Sequence, residues 1–239
     1  MFRHTGKGRK FSHNLKLASI LSGVAGLVNI TGVLSVNSLT TNVTGHFAFF
    51  SEQLFLKNYK MALIYLLYIL FFLSGAFISG LAIEWTAKYK PHGSYIIPLS
   101  IEIIMIIFVA FSSDLIPLYS PMIISSALLF AMGLQNALVT RVSQSVVRTT
   151  HLTGLFTDLG IELSLLLFHH QKGKRIQVNK SIFLKLMIIF CFFLGGIVGA
   201  LTYQHFQLKT LVIPAGLLLF ALWYDRLLVR YYHIKRKFR

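Results

Sequence analysis

Acidic residues are scarce in this chain: seven Asp and Glu among 239 residues, against 23 Lys and Arg. Charged residues of both signs amount to 13%, where a soluble domain carries roughly 25%. That excludes a surface lying mostly in water. Cysteine is nearly absent. The single Cys191 sits inside an apolar run, so no internal disulfide can form. The sequence holds no HExxH, CxxC, GxSxG or P-loop pattern, and no soluble stretch large enough for an ATPase. No metal and no cofactor is therefore expected. His169–His170 do not change this, because adjacent histidines on a helix point about 100° apart.

What is present is apolar: 55% of residues are hydrophobic and the mean hydropathy is +0.69. A spanning helix needs about 20 mostly apolar residues. Six segments qualify: Leu15–Val36, Lys60–Ile83, Tyr95–Phe111, Leu118–Val139, Ser181–Tyr203 and Leu208–Val229. Two further apolar stretches, Val43–Leu56 and Leu152–Phe168, read as interfacial or re-entrant helices. The basic start, MFRHTGKGRKFSHNLK, precedes a run too long for a signal-peptide core and reads as leading into a retained first helix.

The net charge of +16 would suggest nucleic acid in a soluble protein. Here the basic residues flank the apolar segments, as the positive-inside rule describes, and no nucleic-acid partner is expected. Six spans with both ends cytoplasmic put 20 Lys and Arg inside and three outside, Lys57, Lys60 and Lys209. Eight spans give 18 inside and five outside, so charge prefers six only weakly.

The sequence also repeats a phrase. GLVNITGVLSVNSLTTNVTG, from Gly26 to Gly45, is echoed by GLQNALVTRVSQSVVRTTHLTG, from Gly133 to Gly154. FFLSG at Phe71–Gly75 is echoed by FFLGG at Phe192–Gly196, and IIP ending at Pro98 by VIP ending at Pro214. Four matches in one order predict a duplication, with repeat 1 at about 15–115, repeat 2 at about 116–230, and basic tails at 1–14 and 231–239. Three spans per half invert the second half relative to the first, a plan that recurs in secondary transporters. The expected architecture is a single all-α polytopic membrane domain. It has about six transmembrane helices in two inverted three-helix repeats, plus the two interfacial or re-entrant helices.

The phrase points to a broken helix with Thr hydroxyls and free N–H groups at the new N-terminus, an end that accepts anions. The candidate substrate-binding residues are Asn29, Thr41, Thr44, Asn136, Thr150 and Thr153. The competing reading is that Asn and Thr only hold helices together. Candidate coupling residues are Glu102, alone in YIIPLSIEIIMIIFVAF, and His151 and Asp158, which with Glu162 fall seven and four residues apart. The competing reading of that trio is the solvated face of an amphipathic helix. Arg141 and Arg148, seven apart, share a face if their stretch stays helical, and serve as topology anchors or as attractors of an anion.

The string MGLQNALVTRVSQSVVRTTHLTGLFTDLG, Met132 to Gly160, resembles the signature of the YoaK family, bacterial multi-pass membrane proteins of unknown function that carry domain of unknown function 1275. LTTNVTGHFA, Leu39 to Ala48, is similar to that family's other characteristic segment, with His46 in place of an Asn and Asn29 near the place of an acid. The resemblance implies a multi-pass, permease-like protein of the bacterial inner membrane.

The expected function is a secondary transporter or permease of an unnamed small molecule, its partners being the bilayer and that substrate. The alternatives are a membrane-embedded enzyme using His46, His151, Asp158 or Glu162, and a structural membrane protein without a ligand cavity.

Overall fold

The computed structural model describes residues 2, 9–89, 93, 95–112, 120–168 and 172–237. The expected 115/116 boundary, the Leu118 start of the fourth segment and His169–His170 lie outside them. The described residues are mostly helical, with no strand among them. Eight α-helices follow in order: α1 Phe11–Val36, α2 Val43–Phe55, α3 Tyr59–Tyr89, α4 Ile96–Ala110, α5 Pro121–Ser143, α6 Leu152–Phe168, α7 Lys172–Phe206 and α8 Val212–Lys237. A 3₁₀ turn, Gln207–Leu211, joins the last two.

Among the described residues four continuous helical runs are long and apolar enough to cross a membrane. The fourth, Gly173–Asp225, has 53 residues. At about 1.5 Å per residue it exceeds two bilayer cores of ~30 Å. It breaks at the 3₁₀ turn, where Gln207 takes a φ of 46°. Both α7 and α8 then pack on α1. Helix α4 differs from the expected Tyr95–Phe111 segment: it has 15 residues, about 22 Å of rise, and falls short of the hydrocarbon thickness. Helices α2 and α6, with 13 and 17 residues, are short as well.

The helices are arranged as a palindrome. In the order α2, α3, α5, α1, α7, α6, each packs on the next, while α4 lies on α5, α8 lies on α1, and α4 and α8 meet. Burial follows this order. The apolar windows of α1 and α5 are 61% and 72% buried, whereas those of α3 and the α7–α8 run are 22% and 28% buried. Leu21, Val28, Leu128, Met132 and Leu138 form the middle of the core, and Leu73, Phe77, Phe193 and Leu201 point outward.

The two strongest contacts, α1 with α7 and α3 with α5, are close backbone crossings. A Cβ on Gly26 would strike the Phe192 carbonyl, and one on Gly195 the Gly23 carbonyl. A Cβ on Gly133 would strike the Phe72 carbonyl, and one on Gly75 the Phe130 carbonyl. Small residues at such crossings let dispersion and weak polar contacts act between backbones, where lipid supplies no hydrophobic drive between helices. At the ends of α1 and α5 the backbone turns left-handed at Asn37 (φ 51°) and at Gln144 and Ser145 (54° and 63°).

Candidate functional site

The segments after those left-handed turns fold back onto the helices they leave. The Thr41 hydroxyl donates to the Asn29 amide oxygen at 3.0 Å. In the other copy the Thr150 hydroxyl donates to the Asn136 oxygen at 2.8 Å, and Thr149 approaches the same oxygen at 3.5 Å. An amide in an apolar helix must find a partner, and here the partner comes from the chain beyond the break. Thr41 and Thr150 are thus spent on Asn29 and Asn136. The expected geometry had their hydroxyls at the new helix N-terminus.

The cap of α2 is instead Asn42, whose side chain accepts the Gly45 N–H at 3.1 Å. The glycine leaves room for it: a Cβ on Gly45 would press on Leu39 and Asn42. Gly154 stands in the same relation to His151, whose ring occupies the space a Cβ would need. The recurring Thr-Gly is therefore a requirement of the residue three places before the glycine. Thr44 and Thr153 lie exposed in the first turns of α2 and α6.

The remaining candidates are spread over the bundle. Glu102, on α4, is fully buried, and neither carboxyl oxygen has a hydrogen-bond partner. His151 and Asp158 are exposed. Glu162 turns from α6 toward α7, where it accepts from Ser181 at 2.7 Å and from Lys185 at 2.6 Å. His46 is buried, with Nε2 2.7 Å from the Leu39 carbonyl oxygen and its ring edge-on to Tyr68 at 5.3 Å. Arg141 and Arg148 do not share a helix face, because α5 ends at Ser143 between them. Arg141 pairs with Glu84 at the end of α3. Among the described residues no three His, Cys, Asp or Glu side chains gather closely enough to hold a metal ion.

Two polar groups were not singled out from the sequence. Gln135, fully buried on α5, donates to the Leu21 carbonyl of α1 at 3.0 Å and so joins the two central helices. An amide inside an apolar run is a signal in itself. It is easily passed over beside Asn136, which recurs in the phrase while Gln135 does not. Lys185, only 13% exposed, is the partner of Glu162. It lies 23 residues away on another helix, where no local pattern links them.

Buried amides and carboxyls between long apolar helices, with outward-facing Leu and Phe, define a helical membrane protein. The model of the family described as "Protein of unknown function (DUF1275)" matches residues 17–224, and the chain belongs to that family. No curated protein and no solved structure matches the chain.

Proposed function

We propose that this protein is a secondary transporter of a small polar molecule, built from two inverted repeats of three spanning helices and one short helix each, the 15-residue α4 crossing where the bilayer thins to meet it. The observation that carries the reading is the reciprocity of the contacts. Asn29–Thr41 and Asn136–Thr150 make the same bond, and α1–α7 and α5–α3 make the same glycine crossing. An inverted pseudo-two-fold axis accounts for both with one rule. Under it Phe72 corresponds to Phe192 and Gly75 to Gly195, one residue off the FFLSG/FFLGG letter match. In this layout both ends are cytoplasmic, α2 lies at the outer face of a bacterial inner membrane, and α6 lies at the inner face. The basic residues favour that orientation.

The core supports a transport role. A buried carboxyl without a partner costs several kcal/mol, and Glu102 shares the interior with the unpaired hydroxyls of Ser22, Ser126 and Thr210 and the free Gln135 oxygen. A scaffold gains nothing from such groups, while a protein that passes a polar solute between α1 and α5 uses them. Asn29, Thr41, Asn136 and Thr150 then act as the hinges of the two breaks, with Thr44 and Thr153 at the mouths. Glu102 takes the coupling role, with His151 and Asp158 at the inner face.

A comparison of metabolites between cells lacking and cells overproducing the protein tests this reading. At least one small polar metabolite should change in opposite directions in the two strains. Overproduced Glu102→Gln, inserted at wild-type level, should resemble the deletion. No metabolite changing in opposite senses, or Glu102→Gln acting as wild type, would overturn the proposal.

A further inference from the structure

A groove of about 370 Å³ runs between α1, α7 and α8 at the end of the bundle where α1 begins. Its volume lies within the roughly 300–1,000 Å³ typical of small-molecule sites. The deeper wall is apolar, formed by Leu15, Ile20, Met187 and Phe220. The mouth is not. Lys16 stands there with its ammonium 5.9 Å from the centre of the Tyr224 ring. Helices α1 and α8 run in opposite senses through the groove. Moving inward, Lys16 gives way to Ile20 on α1 and Tyr224 to Phe220 on α8, so one charged end leads into one greasy channel.

Among the described residues no acid pairs with Lys16. Asp225, the acid next to Tyr224, is buried and faces Arg9. Burial holds the Arg9 guanidinium down at about 10, against the opposing pull of the Asp225 carboxylate. Trp223 and Tyr224, both exposed beside the mouth, are rings of the kind that collect at the headgroup boundary. A basic side chain at that depth, above an apolar slot, is complementary to an amphiphile with an anionic head and a hydrocarbon tail.

We propose that this groove binds an anionic phospholipid. Its phosphate lies at Lys16, and one acyl chain lies along Ile20, Met187 and Phe220. The site is separate from the α1–α5 centre and does not depend on a transport role.

The test uses the purified full chain in neutral detergent, with native mass spectrometry of phosphatidylglycerol against phosphatidylcholine of the same acyl chains. Wild type should prefer phosphatidylglycerol. Lys16→Gln, at an exposed position, should weaken phosphatidylglycerol binding about fivefold and phosphatidylcholine, whose choline offsets its phosphate, by much less. Ser19→Phe, which fills the groove beside Lys16, should weaken both. Lys60→Gln, on α3, should change neither. Equal binding of the two lipids by wild type, or a preference that survives Lys16→Gln, would overturn the proposal. So would an equal loss in Lys60→Gln, or unaltered binding in a folded Ser19→Phe. Disulfide formation between two Tyr224→Cys chains in a Cys191→Ala background, unaffected by added lipid, would assign the groove to a second copy instead.

Discussion

Thr41 gives its hydroxyl proton to the Asn29 amide oxygen at 3.0 Å, twelve residues back along the chain and across the left-handed turn that ends α1. The bond ties the unwound segment to the helix it leaves. Thr41→Val should therefore lower stability by about 0.6 kcal/mol, the usual worth of a hydrogen bond between membrane helices. Thr150→Val should cost a similar amount. Denaturant unfolding in micelles measures both. The Asn29→Ala and Thr41→Val changes should be non-additive, while Thr41→Val and Thr150→Val, in separate breaks, should add.

The glycine crossings give a sharper contrast. Gly26→Ala and Gly133→Ala each drive a methyl into a backbone carbonyl of the facing helix. Overpacking of this kind costs about 1–3 kcal/mol, and the two changes should be comparable. Gly80→Ala, on α3, places its methyl in open space and should be neutral or stabilise by up to about 1 kcal/mol through helix propensity. Melting temperatures of the three variants in one detergent decide this. A Gly133→Ala variant as stable as Gly80→Ala would mean that α3 and α5 do not cross here.

Those crossings also show how far the sequence could be read. The all-helical, apolar character of the chain and both breaks are visible as composition, since every segment must satisfy its own backbone in lipid, whereas the Tyr95–Phe111 segment is a helix of only 15 residues. Helix ends are less visible. The stretches Phe11–Leu15 and Lys172–Ser181 are mostly polar, yet α1 and α7 begin at the earlier residues, because a helix continues beyond its apolar run wherever its backbone bonds are made. The letter match FFLSG/FFLGG is shifted by one residue from the contact match because the crossing reads backbone spacing. Of the candidate site, the Asn–Thr elements were legible as a repeated phrase. Their bonding to each other was not, because it depends on how the chain turns at Asn37 and Gln144.

Glu162 and Lys185 form a largely buried ion pair, 18% and 13% exposed, that docks α6 on α7. Breaking a buried pair leaves one charge without its counterpart and costs about 3–5 kcal/mol. Lys185→Ala should have this effect, read as release of α6 and faster proteolysis near Gly160. Replacing both residues, as in Glu162→Leu with Lys185→Leu, should restore most of the stability. Restoration failing in the double variant would mean that the pair does not hold α6 in place.

The inversion of the two halves is the central claim, and the matched residues Thr44 and Thr153 test it most directly. Both are exposed in the first turns of the short helices that follow the breaks. With Cys191 replaced by Ala, single Thr44→Cys and Thr153→Cys variants are treated with a membrane-impermeant maleimide, on intact cells and again after the membrane is opened. The account predicts that Thr44→Cys is labelled in intact cells and Thr153→Cys only once the inner face is reached. Labelling of both from the same side would contradict it.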